Sequence, residues 1–196
     1  MARRYQLKER ARSQEGTRRK IVEATVELHR EIGPARTTIA EVARRAGVGR
    51  VTVYNHFPDE TALLGACSAH WVTDNPPPDL GGWAAIENPA RRLREALREL
   101  YAYYRANEAM LANVTRDVAL VPALAEVMAE QGAGEHERAM RKVLLAGRVL
   151  RGSKTRRTAA AVGLALAFGT WQRLTRDEGL SDADAAKLMV KAIEAP

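Results

Sequence analysis

A single cysteine, Cys67, and the absence of any apolar run approaching the ~20 residues of a membrane-spanning helix set the first bounds on this sequence. One thiol allows no intrachain disulfide, and a reducing compartment is the simpler setting. The opening stretch MARRYQLKERARS lacks the apolar segment of a secretory signal, so a soluble protein of the cytoplasm, away from membranes, is expected. The histidines His29, His56, His70 and His136 do not fall at metal-ligand spacing, and no glycine-rich phosphate cradle is present. No catalytic residue, metal or cofactor is therefore expected; a helical enzyme stands as an alternative whose mark would be turnover. A strand pattern is also missing, and the chain reads as all-α.

What is present is unevenly placed. The formal charge of +7 arises within residues 1 to 58, which hold 13 Lys and Arg against 6 Asp and Glu, whereas the remaining 138 residues carry 18 of each sign. A basic module joined to a neutral domain is what phosphate binding by one end of a chain would look like, although a solvated basic face would look the same.

Helical spacing organises the chain into about nine helices. Residues 1–16, with Arg3, Arg4, Lys8, Arg10 and Arg12, read as a flexible basic arm that could enter a minor groove or add only salt-screened attraction. Ile21, Ala24, Leu28 and Ile32 then define a first helix, stopped by Gly33-Pro34. Thr38 caps a second, with Glu41 three residues on, and Ala46-Gly47-Val48 turns the chain into a short third helix from about Arg50 to His56. A fourth runs through Leu63, Leu64, Cys67 and Trp71 to the Pro76-Pro77-Pro78 block, which places a domain boundary near residue 76. Domains of 17–75 and 76–196 follow. Beyond the boundary, Asn88-Pro89 opens a fifth helix through Tyr104, a shorter one is expected near 108–116, and a long one starts at Pro122 with Gly132 and Gly134 weakening its middle. Residues 155–177 form a strongly apolar helix closed by Gly179, and Ser181 begins the last.

The segment from Thr38 to Phe57 has the form of a helix-turn-helix: a capped helix, a glycine turn and a second helix whose angle the first can hold in a major groove. On the short helix Arg50, Thr52, Tyr54, Asn55 and His56 are polar or amphipathic, while Val48, Val53 and Phe57 are placed for the core. Thr37-Thr38, Ala46-Gly47-Val48 and Tyr54-Asn55-His56-Phe57, in that order and spacing and followed by a connecting helix, resemble the TetR family, named for the tetracycline repressor; the likeness covers about residues 17 to 65. The resemblance implies that Thr38 caps its helix beside a phosphate, that Arg50, Val51 and Thr52 face base edges, and that Tyr54 and His56 hold backbone phosphates. Asn55 is a further candidate. Arginine can pair with guanine, valine can touch a thymine methyl, and phenol and imidazole can donate to phosphate oxygens. Glu60 departs from the family, which places a phosphate-reaching lysine there; with Asp59 it suits the N-terminus of the fourth helix instead. Arg44 and Arg45 are equally well read as a solvated helix face.

The 155–177 helix is apolar nearly all round, with Ala160, Gly163, Leu164, Ala167, Trp171 and Leu174 on one stripe. Such a helix is covered on nearly every side, so it and the last helix are expected to pair with their copies in a homodimer, as the resemblance also implies. Two-fold symmetry then sets two reading helices about 34 Å apart on a roughly palindromic double-stranded operator. The resemblance further implies a repressor released by a small-molecule effector. Tyr101, Tyr104, Met110, Met128, Phe168 and Trp171 could line its pocket, with His70, Asn113 and Asp117 for polarity, which suggests an apolar or aromatic ligand. Ordinary core packing accounts for each of these residues equally well. A nonspecific architectural DNA-binding protein is the second alternative.

Overall fold

The computed structural model describes residues 2–148 and 152–194; of residues 2–8, 10 and 11 it describes the backbone alone. The described chain is all-α, with eleven α-helices and no strand among those residues. It divides into two compact units, one of residues 1–76 with 109–131 and the other of 77–108 with 132–196. The segment 76–196, expected as a single domain, is thus shared between the two.

In the first unit α1 spans Ala2–Glu31. The stretch expected as a flexible arm is therefore helical from Ala2 and continuous with the first helix, because nothing breaks the helix before Gly33 and Pro34, and the pairs Arg12–Glu9 and Arg19–Glu23 lie along its surface. The side chains of Arg3, Arg4, Lys8 and Arg10 lie outside the described residues. Gly33, at φ 93°, ends the helix where a Cβ would run into the Arg116 and Asp117 side chains. A short 3-10 turn, Pro34–Arg36, leads to α2 (Ile39–Ala46), α3 (Arg50–His56) and α4 (Glu60–Asp74). Ile21, Leu28, Val42, Val53, Phe57 and Leu63 close one core among these helices. Each is an apolar position of its own helical period, and none of the short helices could persist without that burial. α7 (Pro122–Glu130) packs on α4, where Leu64, Val121, Leu124 and Val127 make a second core.

The helix α6 runs unbroken from Pro89 to Asp117, so the two helices expected over this stretch are one. Asn88 caps it by accepting from Arg91 N at 2.9 Å. Its last turns belong to the first unit, where Asn113 donates to the carbonyls of His29 and Arg30, each at 2.9 Å, and Asp117 accepts from Ala35 N at 3.0 Å. These bonds satisfy the orphan carbonyls at the end of α1 and an orphan N–H of the following turn.

The second unit holds α5 (Leu80–Ala85), a helix the sequence reading missed, α8 (Ala133–Leu145), α9 (Ser153–Leu166), α10 (Phe168–Gln172) and α11 (Asp182–Glu194). The long helix expected from Pro122 is broken at Gly132, whose φ of 73° is left-handed. The expected 155–177 helix is broken at Ala167, in extended conformation, and finishes as a π-turn over Arg173–Asp177. The break leaves the carbonyls of Ala165 and Leu166 without helical donors, and the hydroxyls of Tyr101 and Tyr104 supply the missing bonds. Buried Arg92 donates to the carbonyls of Ile86, Val143 and Ala146 at 2.8–2.9 Å, ending α8 in the same manner. Among the described residues no helix is long and apolar enough to cross a membrane.

Candidate nucleic-acid interface

α2 is built as its sequence requires. The Thr38 hydroxyl accepts from Glu41 N at 3.2 Å, and Gly47, at φ 69°, turns the chain while its N–H closes on the carbonyls of Ala43 and Arg44. The Glu41 side chain does not return to the cap; it pairs with Arg44. Arg45 reaches α1 instead of solvent, with bonds of 2.8 Å to both carboxylate oxygens of Glu31. That pairing raises the pKa of Arg45 and holds Glu31 below the usual carboxylate range. The arginine left open as a surface group thus braces α2 against α1.

α3 is held from below by Val53 and Phe57, both buried, with the Arg18 guanidinium 4.7 Å from the centre of the Phe57 ring. Its other face is open. Arg50, Tyr54 and Asn55 are exposed, Thr52 and His56 are half-buried, and Val51 is 72% exposed, the most exposed of the large apolar residues among those described. Beside an arginine and a tyrosine, this apolar side chain is placed where a thymine methyl could meet it. Asp59 caps α4 by accepting from Ala62 N at 2.7 Å, with Glu60 exposed beside it, so this corner is acidic.

The sequence reading missed a contribution from α1. Gln14, Glu15 and Arg18 border, with Thr52, Asn55 and His56, an open polar cleft of about 420 Å³ along the reading helix. The signal in the sequence is the spacing of Gln14 and Arg18, one turn apart and in phase with Ile21, which the expectation of an arm over residues 1–16 divides between arm and helix.

The residues expected around an effector do not meet in one place. Tyr101, Tyr104, Phe168 and Trp171 stack in the second unit, with ring centroids 5.4–6.2 Å apart. The Trp171 indole donates to Asp182 at 2.9 Å, and Arg105 binds the same carboxylate. Met110 and Met128 border a cavity in the first unit, His70 sits near Asp74 on the surface of α4, and Asn113 and Asp117 are engaged at the end of α1. Among the described residues no cluster of three His, Cys, Asp or Glu could hold a metal ion.

Residues 21–67 match the family model of the bacterial regulatory proteins of the tetR family. Over 49 residues the chain is 43% identical to the HTH-type transcriptional regulator BetI of Escherichia coli, a stretch amounting to 25% of this chain and 25% of that protein. The chain therefore spans about a quarter of the length of the curated relatives it matches. Across 93% of its length it is similar in structure to NalD, the secondary repressor of the MexAB-OprM multidrug efflux pump in Pseudomonas aeruginosa, of which it covers 96%, at 22% identity and a TM-score of 0.62. A tetR-family transcriptional regulator from Streptomyces coelicolor is similar over 92% of this chain and 80% of its own, at 16% identity and a TM-score of 0.63. At such identities what is shared is the fold.

Proposed function

We propose that the chain, whose residues 21–67 match the tetR family of bacterial regulatory proteins, is a cytoplasmic transcriptional regulator of that family, a repressor that binds a palindromic operator as a homodimer and is released by a small apolar or aromatic effector. The observation that carries the reading is the division of α3 into a tethered face, Val53 and Phe57, and a free one. On the free face Arg50, Val51 and Thr52 read base edges, Tyr54 and His56 hold phosphates, Asn55 is a further contact, and Thr38 adds a hydroxyl at the start of α2. Homodimerisation is supported by apolar groups without cover in one chain: Leu164 is 58% and Leu188 45% exposed, on the last two long helices. The effector half draws on the resemblance to repressors and on α6, which carries the second unit's interior at one end and caps α1 at the other.

Selection of binders from a random duplex pool, followed by titration of the selected duplex at fixed salt, tests the reading. A two-fold symmetric consensus with half-sites about one helical turn apart is expected. Equal affinity for random and selected duplex would replace it with the architectural one.

A further inference from the structure

The first unit carries a half-open, mostly apolar cleft. Between α1, α4, α6 and α7 lies a cavity of about 130 Å³, bordered by Val26, Trp71, Met110, Leu124 and Met128. That is a little under the roughly 150 Å³ of an enclosed apolar cavity that takes up one benzene, so a single small ring, partly open to solvent, is the most it holds. His29 borders the cavity as well, and also touches the wider cleft beside Pro34 and Thr38. The residue is only 7% exposed, and among the described residues its ring, unlike its backbone carbonyl, has no hydrogen bond or ion pair. Burial pushes its pKa down to about 4, so near neutrality the imidazole is uncharged and offers one N–H and one acceptor nitrogen. Of the other polar side chains on the cavity, Ser68 is engaged with Gln131 and the Cys67 thiol with the Val22 carbonyl at 3.8 Å, while the Trp71 indole, on a half-buried side chain, has no hydrogen bond among the described residues.

No Lys, Arg, Asp or Glu borders the cavity, so an ionised ligand would give up part of its hydration and find no charged partner there. Two thioethers and an indole favour an aromatic ring over an aliphatic chain of equal size, and one unpaired imidazole favours a ring with one hydroxyl. We propose that this cavity is a binding site for a small neutral phenol, its ring packed among Trp71, Met110 and Met128 and its hydroxyl hydrogen-bonded to His29. The site is separate from the aromatic cluster of the second unit. It rests on the regulatory reading only insofar as occupancy would alter operator binding, and occupancy itself is measured without DNA.

The test is titration of the full chain with phenol and with toluene, followed by the methyl carbon resonances of Met110 and Met128. Saturable shifts of both are expected, with nuclear Overhauser contacts from the phenol ring to both methyls. Toluene, which leaves the imidazole unpaired, should bind about fivefold more weakly. His29→Phe should abolish that preference, and Met128→Trp, which fills the space, should weaken phenol binding more than tenfold. Unmoved methyl resonances at saturating phenol, or a preference that survives His29→Phe, would overturn the site; the wild-type titration decides even if neither variant folds. Operator affinity unchanged by phenol that demonstrably occupies the cavity would count against the effector half of the regulatory reading and leave the site standing.

Discussion

The tyrosines of the two units are used in opposite ways. Tyr54, on α3, is 55% exposed and its hydroxyl is uncommitted, whereas Tyr101 and Tyr104 are buried with their hydroxyls fixed to the carbonyls that the break at Ala167 sets free. Burial accordingly raises the pKa of both inner phenols. A polar group already satisfied by its own backbone has little to offer a partner, while one held in solvent by a rigid helix needs only to exchange its water for the partner. The contrast separates side chains that stabilise from side chains that bind, and substitutions on either side should have separable effects.

The largest effect is expected in the second unit. Trp171 is fully buried, packs on Tyr104 and Phe168, and donates to Asp182. Trp171→Ala should cost about 3–5 kcal/mol in urea unfolding, while the folded fraction keeps its operator affinity. A loss of DNA binding beyond the loss of folded protein would mean that the two units are not separable in this way.

Acid should act next, and on the first unit. His29 is neutral in the folded chain, with a pKa lowered from 6.5 to about 4, so between those values the unfolded chain takes up the proton first and stability falls as pH falls. At about 1.4 kcal/mol per tenfold change in proton affinity, the loss is about 3 kcal/mol across that window. Asp117 continues it at lower pH: its pKa is held below the usual carboxylate range by the Arg116 guanidinium and the Ala35 N–H, a contribution present above the unfolded value and lost as pH falls through the folded one. Unfolding at pH 7 and pH 4.5 measures the first loss, and in His29→Phe the difference between the two should largely vanish.

These two cases also mark what could be read from the sequence. The α2–α3 pair was legible because its determinants are close in sequence: Thr38 caps onto Glu41, Gly47 turns on Ala43, and Val53 and Phe57 share a face. Elements in the second unit were misjudged where the decisive partner is distant. The break at Ala167 depends on hydroxyls more than 60 residues earlier, and the end of α8 on Arg92, more than 50 residues earlier. The burial of His29 was not legible for a related reason, since it is set by three other helices and not by its neighbours in the chain.

Arg50→Ala should produce the complementary result to Trp171→Ala. Arg50 is exposed at the start of α3, so its loss should leave unfolding unchanged, weaken operator binding by about 1–3 kcal/mol and relax selection at one base pair. Equal weakening on all duplexes would assign the side chain to a phosphate.

The smallest effect should come from Thr38, because it stands on both sides of the contrast. Its hydroxyl is committed to Glu41 N, yet the residue is exposed. As a cap it is worth about 1 kcal/mol of stability, which Thr38→Ala should remove and Thr38→Ser should retain. A hydroxyl accepts from the backbone while donating elsewhere, so a phosphate can use the proton that the cap leaves free. Thr38→Ala should therefore weaken binding to every duplex by a similar factor, beyond what its loss of stability explains, and Thr38→Ser should restore both. If Thr38→Ala lowers stability alone, the hydroxyl serves only the fold, and the boundary between the two kinds of side chain runs between α2 and α3.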